Sequence, residues 1–305
     1  MKRDLLSVTD LTPDAAAELL EQALIMKKGG MRCLLPWRSV ALLFEKPSLR
    51  TRVSFDLAVT QLGGHPVYLS PQEVGLGQRE PVADVARVLG RYVDCIVARV
   101  NRHETLEELS AHAPVSVINA LSDKEHPCQA LADLLTIREV VGTLKGTKLA
   151  YVGDGNNVAR SLALLCAMMG VDFSIASPEG YRLDTGTLEQ AASMAARSGS
   201  RFHTGTDPVE AVTGAGIVYT DTWTSMGQET EAEERRQRFA DYQVNASLLR
   251  HADSQAKFMH CLPAHHGEEV TTEILNGASS IIFEQAENRL HAQKALLAQI
   301  LIPAD

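Results

Sequence analysis

Short, continuous apolar runs of strand length, separated by stretches of helical periodicity, constrain this chain more than any other feature. Ser39 to Phe44 (SVALLF) is the first such run, and others lie at 94–98, 115–118, 148–153, 171–176, 216–220, 256–260 and 279–282. Helical patterns fall between most of them, near 51–62, 81–92, 127–140, 157–169, 207–213 and 284–301. A strand that is apolar throughout, rather than on alternate residues, is covered on both faces, and the intervening helix supplies both the cover and the crossover to a parallel neighbour. The expectation is an α/β protein with parallel sheets. An earlier helix opens at Thr12-Pro13, with Thr as cap and Pro at the first position, and closes at Gly29-Gly30. At 305 residues the chain suits two domains, and Gly142 and Gly146, just ahead of a fresh strand, put the seam near 136–147.

Charge and cysteine usage narrow the partners. Lys and Arg number 29 against 38 Asp and Glu, a net −9, which argues against nucleic acid or an anionic membrane surface as the main partner. No apolar run approaches the roughly 20 residues needed to span a bilayer. The five cysteines, Cys33, Cys95, Cys128, Cys166 and Cys261, are odd in number and contain no C-x-x-C pair, which fits a reducing compartment rather than a disulfide framework. Asp4, Asp10, Asp14 and Glu18 make the N-terminal stretch unlike a signal or transit peptide. A cytoplasmic protein is the expectation.

The first strand runs into Glu45-Lys46-Pro47-Ser48-Leu49-Arg50-Thr51-Arg52, and a helix follows. A helix N-terminus offers unpaired N–H groups and a partial positive charge, so hydroxyls and guanidinium forks added there make a cradle for phosphate. The bland reading is a helix start with solvated arginines. The G-x-x-x-x-G-K pattern of a P-loop is absent.

FEKPSLRTR (44–52) resembles the carbamoyl-phosphate motif of the carbamoyltransferases. HPCQALADLL (126–135), GDGNN (153–157), DTWTSMG (221–227), HCLP (260–263) and ENRLH (287–291) narrow the resemblance to the ornithine carbamoyltransferases. It implies two domains, each a parallel sheet flanked by helices, joined by two helices. Residues 1–135 with 285–305 would bind carbamoyl phosphate and 136–284 would bind ornithine. The implied reaction moves the carbamoyl group to the δ-amine of L-ornithine, giving citrulline and phosphate in arginine metabolism. No cofactor or metal is implied, and a homotrimer is.

By the same resemblance, Ser48, the backbone N–H of Leu49, Arg50 and Thr51 hold the phosphate with Arg99 and Arg289. His126 donates to the carbonyl oxygen, Gln129 holds the NH₂, and Cys261 and the Leu262 carbonyl face the carbamoyl group. Fixed donors aimed at the oxygen where charge builds lower the barrier to attack. Asn157 and the Met226 backbone meet the ornithine carboxylate; Asp221 and Ser225 meet its α-ammonium. Arg99, His126, Asp221 and Cys261 form the catalytic set, with Asp221 and Cys261 orienting the amine or receiving its proton.

Each segment also has a structural reading. His-Pro starts many helices, a lone arginine is usually solvated, D-T-W-T-S-M-G could be a loop around a core tryptophan, and a cysteine is commonly buried and inert. Gly153 and Gly155 invite a dinucleotide site, but the third glycine is missing and the next strand ends Ala176-Ser177-Pro178 with no acid. His260, Cys261, His265 and His266 invite zinc, although Pro263 stiffens the stretch between the pairs. A sibling transferase acting on putrescine, N-acetylornithine or aspartate, a nicotinamide-dependent oxidoreductase and a silent binding protein remain rivals. Two positions depart from the family pattern: Leu49 replaces a threonine, and Gly75 stands where a glutamine is common, with Gln78 a candidate substitute.

Overall fold

In the computed structural model the described residues are 2–30, 33–224 and 229–302. The chain divides into two units, Met1–Leu135 with Glu287–Asp305, and Thr136–Ala286.

The first unit begins with α1 (Pro13–Lys27), capped by the Thr12 side chain. Then follow β1 (Ser39–Phe44), α2 (Leu49–Gln61), β2 (His65–Leu69), α3 (Pro71–Val74), α4 (Val82–Leu89), β3 (Cys95–Arg99), α5 (His103–His112), β4 (Ser116–Leu121) and α6 (Pro127–Val141). Its four strands are parallel in the order β2-β1-β3-β4. Because β1 lies between β2 and β3, the winding reverses between β1 and β3. Crossovers there leave in opposite directions and open a crevice at the carboxyl ends, where α/β sheets bind ligands.

The second unit repeats the logic. Its elements are β5 (Lys148–Val152), α7 (Asn157–Met169), β6 (Asp172–Ala176), α8 (Thr185–Ser198), β7 (Phe202–Gly205), α9 (Pro208–Val212), β8 (Ile217–Thr220), α10 (Ala232–Phe239), α11 (Ala246–Leu249), β9 (Lys257–His260) and α12 (Thr272–Leu275). Five parallel strands run β7-β6-β5-β8-β9, so this sheet reverses between β5 and β8. The last helix, α13 (Ile282–Leu301), and α6 each run through a division between the units. No described helix is long and apolar enough to cross a membrane.

The sheets form as the apolar runs imply: β3, β5, β6, β8 and β9 are buried along nearly their whole length. One expected strand is absent. Residues 279–282 make a single bridge, Ser280 to Phe258, and α13 begins at Ile282. Ile281 and Ile282 are buried, so the run is apolar because it packs, without extending into a ladder. α2 starts two residues earlier than the pattern suggests, at Leu49, with Ser48 as its cap.

Candidate active site

The reversal between β1 and β3 gathers the first cluster. Phe44 and Arg99 are register partners at the ends of those strands, which places the turn after β1 beside Arg99. The Ser48 hydroxyl caps α2, accepting from the Thr51 N–H at 3.3 Å, and donates to Thr51 Oγ1 at 3.0 Å. Arg99 Nη1 donates to the same Thr51 oxygen at 3.4 Å and Arg289 Nη2 at 3.2 Å. Three donors therefore converge on one hydroxyl oxygen that has two lone pairs. Such crowding suits a site whose true acceptor carries more oxygens.

α13 and α6 complete this cluster. Arg289, 4% exposed, donates to Gln129 Oε1 at 2.7 Å and approaches His126 Nε2 at 3.4 Å. Gln129 Nε2 in turn donates to Asp133 Oδ1 at 2.8 Å. His126 and Gln129, three residues apart at the start of α6, thus share one side of the helix. Burial, then Arg289, Arg99 and Lys46, hold the His126 pKa well below the usual histidine value. Its ring is neutral, with one donor and one acceptor nitrogen. Since Arg289 can only donate, Nε2 is the acceptor in that contact and Nδ1 carries the hydrogen.

Arg50 stands apart: it is half-buried on the first turn of α2, and none of the hydrogen bonds joining Thr51, Arg99 and Arg289 reaches it. Arg52 stacks its guanidinium 3.7 Å from the Tyr68 ring centroid. Leu49 leaves its side chain exposed, so its loss of a hydroxyl changes nothing in the local packing. Gly75 ends α3 with φ of 54°, its N–H bonded to Pro71 O. A left-handed C-cap is where glycine is favoured over a side chain such as glutamine. Gln78 is exposed on the following turn.

The second cluster occupies the reversal between β5 and β8. Asn156 caps α7, accepting from Val158 and Ala159, and its Nδ2 donates to Asp221 Oδ2 at 2.8 Å. Asp221, at the end of β8, also accepts from the Thr222 N–H at 2.8 Å and from Cys261 Sγ at 3.0 Å. The buried carboxylate is thereby held by three donors from three segments. Asn157, the residue expected to meet the amino acid, is the first residue of α7. Ser225 and Met226 lie outside the described residues. Trp223 is a core residue stacked on Phe239, as the loop-around-tryptophan reading has it, yet Asp221 two residues earlier enters the polar cluster.

Gly155 explains why a nucleotide does not suit this turn. Its N–H donates to Tyr181 O at 2.8 Å, and a Cβ there would meet Leu183 N at 2.4 Å and Arg182 C at 2.6 Å. The close approach that glycine permits is taken by the chain's own backbone.

Beyond β9 the chain turns sharply. Leu262 has φ of 60°, costing about 1–2 kcal/mol for a residue with a Cβ, and its N–H donates to His260 Nδ1 at 2.8 Å. With Nδ1 accepting, the ring hydrogen sits on Nε2, which faces Glu269 Oε1 at 3.1 Å. His260 and Glu269 are both fully buried. Asp221, His260 and Cys261 each bring a ligand atom within 4.8 Å of the others, but both nitrogens of His260 are engaged inside the protein. His265 bonds Thr222 and His266 bonds Thr272, so the four residues of the zinc reading do not converge.

Sequence reasoning overlooked Asn156, the His260–Glu269 pair and Lys46. The first had a signal, since the residue before a helix start is the cap. Lys46 follows β1 and is held below its ordinary pKa by burial and then by Arg99.

Two family models span the chain: the carbamoyl-P binding domain of aspartate/ornithine carbamoyltransferase matches residues 3–139, and its Asp/Orn binding domain matches 145–300. The ornithine carbamoyltransferase of Pyrococcus horikoshii is 52% identical over 303 residues, covering 98% of this chain and 96% of that one. That of Bacillus subtilis is 52% identical over 299 residues, covering 98% and 94%. The solved structure of ornithine carbamoyltransferase from Pyrococcus furiosus superposes with a TM-score of 0.96 at 50% identity, over 99% of this chain and 98% of that one. With both halves matched in order and the sheets reversing where the two clusters sit, the chain belongs to the aspartate/ornithine carbamoyltransferase family.

Proposed function

We propose that this chain is an ornithine carbamoyltransferase, transferring the carbamoyl group of carbamoyl phosphate to the δ-amine of L-ornithine to give L-citrulline and phosphate. The observation that carries the reading is the convergence of Ser48, Arg99 and Arg289 on Thr51 beside a neutral, buried His126. That set pairs cations for a dianionic leaving group with an uncharged donor for a carbonyl. The phosphate falls to Ser48, the Leu49 N–H, Arg50, Thr51, Arg99 and Arg289; the carbonyl oxygen to Arg99 and His126; the carbamoyl NH₂ to Gln129 and the Leu262 carbonyl.

The amino acid falls to the second unit. Asp221 supplies an anion for the α-ammonium with Ser225, and Asn157 with the Met226 backbone supplies donors for the carboxylate. The neutral δ-amine attacks the carbonyl carbon, a C–N bond forms, and the C–O bond to phosphate breaks with its electron pair leaving on oxygen. The amine's proton passes to the Asp221–Cys261 pair, whose 3.0 Å contact joins a carboxylate to a thiol. The protein supplies position and charge stabilisation, and proximity alone is worth about 7–11 kcal/mol in well-oriented systems. We assign the chain to arginine biosynthesis as a cytoplasmic homotrimer.

Carbamoylation assays with ornithine, putrescine, N-acetylornithine and aspartate test the reading. Citrulline formation in clear excess over the other products is the expected result. Preference for the diamine, or turnover of none of the four, would overturn it.

A further inference from the structure

Arg235 takes no part in the mechanism above, yet its guanidinium is buried, the residue being 6% exposed. It lies on α10. Nη1 donates to Asp154 Oδ2 at 2.8 Å and to the Trp223 carbonyl at 3.0 Å, and Nε donates to Glu231 Oε2 at 3.0 Å. The guanidinium carbon lies 4.9 Å from the Tyr181 ring centroid. These four partners come from four stretches of chain. Two of them border the amino-acid cluster: Asp154 precedes Asn156 by two residues, and Trp223 follows Asp221 by two.

We infer that Arg235 is a positioning residue for ornithine, its single guanidinium tying the turn after β5 to the segment after β8 so that Asn156, Asn157 and Asp221 keep a fixed spacing. The inference rests on the reading that these residues hold the amino acid. A buried ion pair is by itself poor evidence of stabilisation, because apolar residues of similar volume often serve as well. Here the acceptors lie in different directions: a carboxylate, a backbone carbonyl and a second carboxylate. A planar fork reaches all three at once, which a lysine ammonium on a flexible stem does not. The floor under the guanidinium belongs to the same device. The backbone carbonyl of Tyr181, whose ring lies beneath it, accepts the Gly155 N–H at 2.8 Å, so the turn is held at Asp154 by the guanidinium and at Gly155 by the backbone of the residue under it. Desolvation pushes the Asp154 carboxyl up to about 6 against the opposing pull of Arg235, which marks a pair kept despite its cost.

Arg235→Gln, Arg235→Lys and Asp221→Asn, assayed by steady-state kinetics for both substrates with thermal melts alongside, test this. Arg235→Gln is expected to raise the ornithine KM at least tenfold while the carbamoyl-phosphate KM stays within twofold, and Arg235→Lys to fall between it and the wild type. A folded Arg235→Gln with an unchanged ornithine KM, or with both KM values raised equally, would overturn the inference. Should Arg235→Gln not fold, Glu231→Gln removes only the exposed arm: a two- to threefold rise in ornithine KM at unchanged Tm supports the strap, and no rise overturns it. Asp221→Asn separates the two ideas. If it leaves the ornithine KM unchanged, the amino-acid site itself is misplaced; if it raises that KM and Arg235→Gln does not, only the strap fails.

Discussion

Replacing Arg289 by Met removes a buried cation and keeps an apolar chain of similar length. The guanidinium donates to Gln129 at 2.7 Å and Thr51 at 3.2 Å, so two donors aimed into one cluster are lost together. Hydrogen bonds to charged groups contribute roughly 1.5–3 kcal/mol each, and truncating one side of a buried charge pair costs roughly 2–5 kcal/mol. A loss of about 3–5 kcal/mol converts to roughly 150- to 4,000-fold in kcat/KM for carbamoyl phosphate, at about 1.4 kcal/mol per tenfold. The ornithine KM, measured at saturating carbamoyl phosphate, is expected to stay within about threefold.

Stability should move the other way. Arg289 and Arg99 are two cations that both donate to Thr51 Oγ1, so removing one relieves crowding of like charge, and the ligand-free variant should melt no lower than the wild type. Ligand protection is the sharper readout. At a concentration 100 times Kd a ligand stabilises by about 2.7 kcal/mol, and a hundredfold weaker Kd leaves about 0.4 kcal/mol at the same concentration. The thermal upshift given by carbamoyl phosphate should therefore nearly vanish. A folded variant whose kcat/KM stays within tenfold, or whose two substrates suffer alike, would refute the placing of Arg289 on the phosphate.

Three further outcomes follow from the same geometry. Gly155→Ala should abolish folding or lower Tm steeply, because the added Cβ meets backbone at 2.4 and 2.6 Å; a melt matching the wild type would contradict that packing. His103, His126 and His291 are all held below the usual pKa, chiefly by burial, so the unfolded chain binds more protons once pH drops below roughly 6.5. Stability is then complete above that pH and declines beneath it by up to about 1.4 kcal/mol per pH unit for each histidine. Asp154, raised to about 6, binds a proton in the native state but not in the unfolded state between roughly pH 4 and 6, and in that window offsets about one of the three. Urea midpoints at pH 7.5 and 5.5 measure the net loss, and coincident midpoints would contradict it. Finally, only the neutral δ-amine attacks, and a lysine-like amine titrates near roughly 10.4. Activity at subsaturating ornithine should climb about tenfold per pH unit from 7 to 9, and a flat profile would count against direct attack by the amine.

What the sequence made legible follows from how each feature is written into it. β1 and α7 fall where their patterns put them, because a buried strand and a buried helix both demand apolar residues in strict order. β2 and β7 escape notice because they are edge strands left open to solvent, whereas the opposite edges, β4 and β9, are buried and carry the apolar run. β2 and β7 are each partly exposed, so neither needs an unbroken apolar run. α8 is missed for a different reason: its inward face is Thr187, Ala191 and Ala195, small residues that give little periodic signal. In the first cluster, Thr51, Arg99, His126, Gln129 and Arg289 come together as their motifs suggest, since the chemistry of an anion site restricts residue type. Arg50 does not join them by hydrogen bonding. Asn156, Glu269 and Arg235 act through other side chains, and no spacing rule links a supporting residue to the one it supports.

The two sheets place their polar clusters at equivalent positions, each at the carboxyl ends beside the first strand where the winding turns back. On the proposed assignment, donor recognition and acceptor recognition are therefore written on separate sets of loops. Mutations that retune which amine is accepted can accumulate after β5 and β8 while the anion cradle after β1 and β3 is left intact. A scaffold so divided can give rise to enzymes that share one activated donor and differ only in what receives it.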